Sequence, residues 1–220
     1  MTEKIVAIGD VHGCIETLKA LWDKLKPYDD YTHVFVGDYI DRGPGSKDVV
    51  DFLLDVQDER ETVFLRGNHE VMLLHALEKG SIQNWMMNGG KSTLQSYGEN
   101  ASLSDIPDSH IDFYKKTKLY YETSDYFFVH AGIPPDRTIE ESKNDKSAHD
   151  YFFWGREHLN AFEPPWEKTV VFGHTPQPFP IQQNKMIGID TGCVYNRGGL
   201  GKLTAVRLPE KKFMHLSSLD

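Results

Sequence analysis

The chain has 220 residues, 39% of them hydrophobic and 26% charged, with a formal net charge of −9. This composition suits a globular protein long enough to bury a substantial core, and an acidic balance without a basic run argues against nucleic acid or anionic membrane as partner. Two cysteines, Cys14 and Cys193, are too few for a disulfide framework; no apolar run approaches the ~20 residues that span a bilayer, and no charged-then-apolar leader opens the sequence, so the expectation is one cytoplasmic domain over residues 1–220 with reduced thiols.

In chain order, the first apolar run is Ile5–Ile8, which ends in Gly9-Asp10-Val11-His12-Gly13. Ile15, Leu18, Leu21, Trp22 and Leu25 then fall on one face of a helix. Val34–Val36 runs into Gly37-Asp38-Tyr39-Ile40-Asp41-Arg42-Gly43, and Val49, Val50, Leu53, Leu54 and Gln57 mark a second helix. Thr62–Leu65 runs into Arg66-Gly67-Asn68-His69-Glu70, with Val71, Leu74, His75 and Leu77 marking a third. The stretch from Trp85 to Gly98 carries two glycines and an aromatic cluster, which suits either a pocket wall or core packing.

The later half is richer in strand patterns. Lys118–Val129 reads as a hairpin around Ser124-Asp125, and its second strand runs into His130-Ala131-Gly132. Pro134 to Asp150 is polar and poorly periodic, as expected of a surface loop with a short helix near the site. Thr169–Phe172 runs into Gly173-His174-Thr175, and Met186–Ile189 into Asp190-Thr191-Gly192. The last two runs, Lys202–Leu208 and Lys211–Leu216, pair around Pro209-Glu210. Strand–helix alternation predicts an α/β fold with more than one sheet. Ligands of such folds gather beyond the carboxyl ends of strands, and six polar clusters sit at such ends, which predicts one common site.

The side chains pooled there are Asp10, His12, Asp38, Asp41, Asn68, His69, His130 and His174. Carboxylates cannot crowd together unpaired, because like charges repel and burial penalises each. A divalent metal resolves the conflict. Oxygen and imidazole donors without thiolate suit manganese, iron or zinc. The donors outnumber the needs of one octahedral ion, so two ions sharing a carboxylate are expected, a device that generates hydroxide and clamps a phosphoryl group. Taken singly, Asp10 and Asp38 would suit helix N-caps, and His130 and His174 structural roles; their shared position at strand ends favours ligation. Arg66 is expected to pair near Glu70 or a backbone carbonyl. His33, His75, His110, His149, His158 and His215 are read as surface or packing residues, and the two cysteines as small buried fillers.

The segments GDVHG, GDYIDRG, RGNHE, HAG and GHT, in this order, resemble the motif set of the phosphoprotein phosphatase branch of the calcineurin-like metallophosphoesterases. The nearest likeness is to the compact bacterial and phage members, of the bacteriophage lambda phosphatase kind, and it covers Asp10 to about Leu208. The resemblance implies a central β-sandwich of mixed sheets flanked by helices. It implies that Asp10 and His12 bind a first metal, that Asp38 bridges, and that Asn68, His130 and His174 bind a second. It makes His69 the general acid, with Asp41 orienting and charging its imidazole, and Arg42, Asn68 and Arg156 the substrate-binding residues.

Three functions follow. The main reading is a metal-dependent, manganese-preferring protein phosphatase acting on phosphoserine or phosphothreonine, with phosphotyrosine as a further substrate, by attack of a hydroxide held between the metals; its partner would be a phosphorylated protein. The alternative is symmetrical hydrolysis of dinucleoside tetraphosphates. Retention of Asp41, Arg42 and Thr175, and the expectation that two arginines and two metals leave little room for a second substituent on phosphorus, favour the phosphatase. A binding scaffold on an inactive phosphoesterase fold would lack ligands, and none is missing.

Overall fold

The computed structural model describes residues 3–220. Its strands, in chain order, are β1 (Ile5–Ile8), β2 (Thr32–Phe35), β3 (Thr62–Phe64), β4 (Tyr120–Glu122), β5 (Tyr126–Val129), β6 (Thr169–Phe172), β7 (Ile181–Gln183), β8 (Met186–Gly188), β9 (Lys202–Leu208) and β10 (Lys212–Ser217). The helices are α1 (Ile15–Lys24), α2 (Ser46–Val56), α3 (Asn68–Lys79), α4 (Gln83–Trp85), α5 (Lys91–Tyr97), α6 (Asp108–Lys116), α7 (Ile139–Asn144) and α8 (His149–Trp154), with a π turn at Met86–Gly90.

The strands form two five-stranded sheets, ordered β10-β9-β1-β2-β3 and β4-β5-β6-β8-β7. In the first, β1, β2 and β3 are parallel, with Ile5 opposite Thr32 and His33 opposite Thr62, and β9 lies antiparallel to both β1 and β10. In the second, β5, β6 and β8 are parallel and β4 and β7 form antiparallel edges. This is the expected α/β architecture of mixed sheets flanked by helices.

Strand alternation explains the layers. Ile5 and Ala7 of β1 meet Val34, Val36, Phe128, Val171 and Ile187 between the sheets. Val6 and Ile8 point the other way, into a core with Leu18, Leu21, Val49 and Leu53 of the helices. Phe127, Val129 and Phe172 of the second sheet turn outward onto Ile139, Phe152 and Trp166. Burying each such side chain stabilises the fold by about 1.5–3 kcal/mol. Central strands covered on both faces read as unbroken apolar runs, so their polar residues are confined to strand ends.

Local chemistry sets the helix ends. At the start of α3, the Gly67 N–H donates to the Glu70 carboxylate at 2.9 Å; at its end, Gly80 adopts φ 69° as a left-handed cap. The first turn of α1 is capped from far away in sequence: the Asp220 carboxylate accepts from the N–H groups of Glu16 and Thr17, both at 3.1 Å, and from the Thr17 hydroxyl at 2.7 Å. The excursion around residues 134–150 is more ordered than a loop with one short helix. It holds α7, capped by the Thr138 hydroxyl accepting from Glu141 N at 3.1 Å, then a 3₁₀ turn and the start of α8. Among the described residues no helix is long and apolar enough to cross a membrane.

Candidate metal centre

Loops from the two sheets meet at one point. His130, after β5, donates through Nδ1 to the Val36 carbonyl at 2.9 Å, and Asp10, after β1, accepts the His174 N–H at 2.9 Å. The chain is strained where it turns there. His12, Asp38, Asp41, Arg42 and His174 all have positive φ, at 47°, 54°, 71°, 71° and 66°. Such conformations cost of order 1–3 kcal/mol each and persist only where surrounding structure enforces them. One enforcer is Glu70, buried at the start of α3, whose carboxylate accepts from Asp38 N at 3.0 Å, Tyr39 N at 2.9 Å and Gly67 N at 2.9 Å. Glycine makes the crossing of loops possible: a Cβ on Gly37 (φ 109°) would lie 2.6 Å from Gly67 N, and one on Gly173 would lie 1.9 Å from Asp10 Oδ1.

Asp38 is the shared member of two close groups, one with His12 and His69 and one with His130 and His174. Its Oδ2 lies 3.4 Å from His12 Nε2 and 4.0 Å from His69 Nε2, and its Oδ1 lies 3.4 Å from His130 Nε2. Asn68 Oδ1 sits 2.9 Å from both His130 Nε2 and His174 Nδ1. Asp10 stands beside these groups, with one oxygen on the His174 N–H and Oδ1 without a partner.

The donor set fits metal ions on the structure's own terms. His12 and His130 each spend Nδ1–H on a carbonyl, Ile40 O at 2.8 Å and Val36 O at 2.9 Å. Each therefore turns an Nε2 lone pair inward, and at His130 that lone pair faces another acceptor, the Asn68 oxygen. A cation satisfies such a pair. Asp10 Oδ1, His69 Nε2 and His174 Nε2 are buried without partners, a condition that buried polar groups rarely tolerate. Burial drives the His12 imidazole well below its ordinary range, lowers that of His130 and takes His174 down to about 2, which favours the neutral form that a metal-binding imidazole needs. Desolvation pushes Asp38 up, but the imidazoles around it, His130 first, more than offset this and lower it; of these four His69 is the one whose own pKa is raised, so its charge is the one that favours the ionised carboxylate. Burial, then Asp190 and Asp38, push Asp10 well up, the carboxylate crowding that divalent ions relieve.

Beside these groups, His69 Nδ1 bonds Asp41 Oδ2 at 2.6 Å. Asp41 is held in turn by Trp85 Nε1, at 3.0 and 2.9 Å from its two oxygens, and by the Thr93 hydroxyl at 2.6 Å. Burial opposes protonation of His69, but Asp38 and Asp41 outweigh it and raise its pKa. The two arginines lie on the exposed rim. Arg42 Nη1 approaches His12 Nε2 at 2.5 Å, and Arg156 Nε donates to the Thr175 hydroxyl at 3.3 Å.

The fold thus brings together Asp10, His12, Asp38, Asp41, Asn68, His69, His130 and His174 in the interior, with Arg42 and Arg156 at the rim. Sequence reasoning missed Glu70 as the brace of the Asp38 turn, although it ends the quoted RGNHE. It also missed Asp190, whose carboxyl accepts Gly192 N–H at 2.8 Å and which burial pushes up to about 7 beside Asp38. The Trp85–Gly98 stretch belongs to the site, through Trp85 and Thr93 on Asp41 and through Gly89 O accepting from Arg42 N at 3.3 Å. Arg66 is structural, donating to the carbonyls of Tyr114, Lys115 and Thr117.

A family model described as calcineurin-like phosphoesterase matches residues 3–198. A relative from Oceanobacillus iheyensis, bis(5′-nucleosyl)-tetraphosphatase PrpE [asymmetrical], is 32% identical over 98% of this chain and 92% of its own. The protein of the same name from Bacillus subtilis is 28% identical over 92% and 90%. Among solved structures, one provisionally described as a diadenosine tetraphosphatase superposes with a TM-score of 0.74 at 21% identity, covering 100% of this chain and 96% of its own. A cold-active protein-tyrosine phosphatase from a psychrophilic Shewanella superposes at 0.61 and 20%, covering 99% and 81%; at that identity both share the fold.

These relatives overturn the expected phosphoprotein phosphatase, with its phosphomonoester chemistry and phosphorylated protein partner, and favour the alternative in kind, although the name they carry is asymmetrical where symmetrical cleavage was expected. The reason is physical. Asp41 faces His69 and Thr175 faces Arg156, contacts that favour neither an ester nor an anhydride, so the retention of these residues and Arg42 does not choose between them. Nor do Arg42 and Arg156, both solvent-exposed, enclose the centre as the crowding argument requires.

Proposed function

The chain belongs to the calcineurin-like phosphoesterases, and on that premise we propose that it hydrolyses dinucleoside tetraphosphates asymmetrically, to a nucleoside monophosphate and a nucleoside triphosphate. The observation that carries this is end-to-end similarity to relatives bearing that name, at 32% identity over 98% of this chain. In this reading residues 1–220 act as one catalytic domain.

Asp10, His12 and Asp38 would hold one divalent ion, and Asp38, Asn68, His130 and His174 a second, manganese being first choice for oxygen and imidazole donors. Two such ions supply Lewis acidity at phosphorus and lower the pKa of water. The chain's own residues do the rest. His69 carries an unpartnered Nε2 toward the centre while Asp41 holds its Nδ1–H, the geometry of a general acid delivering a proton to the leaving oxygen. Arg42 and Arg156 project from the rim, where planar guanidinium groups suit the flanking phosphates of a polyphosphate chain. Both arginines are solvent-exposed, so in this reading phosphates on either side of the cleaved bond would meet a guanidinium.

Manganese-loaded protein incubated with diadenosine tetraphosphate and resolved by ion-exchange chromatography should release AMP and ATP in equal amounts, and chelation should stop release. Two equivalents of ADP would refute the asymmetry, and no turnover would refute the activity.

A further inference from the structure

Asymmetric cleavage of a symmetric molecule needs a reference point, because the enzyme must place the cut closer to one end. The centre itself offers none: metals and arginines bind any phosphate. We propose that Trp154 is that reference, a platform on which one nucleobase stacks so that the cut is counted from it; this rests on the tetraphosphate reading above.

Trp154 ends α8 and remains 42% exposed. Its indole stands edge-on to the His174 imidazole, with centroids 6.3 Å apart and planes at 89°. Two residues on, Arg156 reaches Thr175, the neighbour of His174, through the 3.3 Å contact already described. A flat aromatic face, a cation and an imidazole of the candidate second metal pocket thus share one corner of the rim. The support is rigid. Phe152 of the same helix is wholly buried, and Gly155 is packed so tightly on the Tyr151 ring that a Cβ there would come within 2.0 Å of it.

The other large apolar side chains left exposed do not compete. Phe179 lies under the Lys202 ammonium, 5.2 Å from its ring centre, and Met87 and Leu219 offer no ring. Phe162, 88% exposed, shows no contact with the centre among the described residues. Across the site, the Tyr195 ring already has Arg42 and Arg197 over it, at 5.7 and 5.6 Å. One free stacking face on one side of the centre is the asymmetry the reaction requires. Its closeness to His174 suits the short arm of the substrate: base on Trp154, one ribose, then the phosphate that leaves as the monophosphate. A π-face recognises every base, so the site accepts nucleosides generally.

The test compares metal-loaded wild type with Trp154→Ala, and with Trp154→Leu, which keeps bulk but not the aromatic face. Calorimetry gives the affinity ratio of AMP to ribose 5-phosphate, a direct measure of the base. In wild type AMP should bind about 5- to 150-fold tighter, the range for one base on an aromatic side chain. In both variants the ratio should fall toward one, KM for diadenosine tetraphosphate should rise by a similar factor, and ADP should join AMP and ATP among the products. An unchanged ratio, or equal loss of affinity for both ligands, would overturn the platform while asymmetric cleavage by wild type stood. Failure of wild type to cleave diadenosine tetraphosphate would bring down the functional reading itself, and the platform with it.

Discussion

Asp41 illustrates how much one side chain at this centre depends on its neighbours. Buried carboxylates tend toward the neutral form, and burial does push Asp41 up. His69, Thr93 and Trp85 oppose that by donating to its oxygens. Trp85→Phe removes the indole N–H and keeps most of the bulk; with a charge-assisted hydrogen bond worth about 1.5–3 kcal/mol, kcat should fall about tenfold with KM and metal content unchanged. His69→Asn should cost more, near the lower end of the ~10²–10⁴-fold range for general acid catalysis, because the leaving phosphate oxygen of an anhydride is a weaker base than an alkoxide. Steady-state kinetics with elemental analysis checks both. A loss of metal in either variant would mean that the dyad is structural.

At the scale of elements, the centre exists because strand ends from two sheets are pressed together, and glycines set the distance. Gly173 follows β6 and faces Asp10 after β1. The Cβ of Gly173→Ala would fall 1.9 Å from Asp10 Oδ1, in a place with no free volume. Overpacking of this kind costs about 1–3 kcal/mol, and here the strain falls on a candidate ligand. The variant should melt lower and bind fewer than the two equivalents of manganese expected of wild type. An alanine variant that retains two equivalents with wild-type stability would show that the loops are not held as tightly as this contact requires.

For the whole molecule, two buried histidines outside the candidate donor set impose an acid limit. His33 on β2 packs against Trp22 with ring centroids 4.9 Å apart, and His158 packs against Phe172 at 4.7 Å. Neither ring has a hydrogen-bond partner. Burial, with Arg60 adding to it at His33, lowers both from 6.5 to about 4. A folded-state pKa below the unfolded value means that the unfolded chain takes up protons first as pH falls. The neutral rings thus contribute stability that is complete above pH 6.5 and is lost as pH falls toward 4. The loss reaches about 3 kcal/mol for each ring. Urea midpoints at pH 7, 5.5 and 4.5 should fall steadily, and His33→Phe should reduce the slope by about half.

Much of this was legible in one chain. Short apolar runs ending in charge marked six of the strands and their carboxyl ends, because strands buried on both faces leave polar residues nowhere else to go. The candidate donors were legible for the same reason: Asp10, His12, Asp38, Asn68, His130 and His174 end such runs, and the fold brings these carboxylates and imidazoles to one place. What could not be read were contacts between segments distant in sequence. Trp85 and Thr93 lie about fifty positions beyond the Asp41 they hold, Asp220 caps a helix that starts at Ile15, and Asp190 reaches the centre only when β8 lies beside β6. The substrate was misjudged on the same account. Motif residues grip a phosphoryl group, which esters and anhydrides share, whereas selection between them depends on the shape of the rim. That shape, with Arg42 on the loop after β2 and Trp154 and Arg156 together at the end of α8, arises only when the two sheets pack.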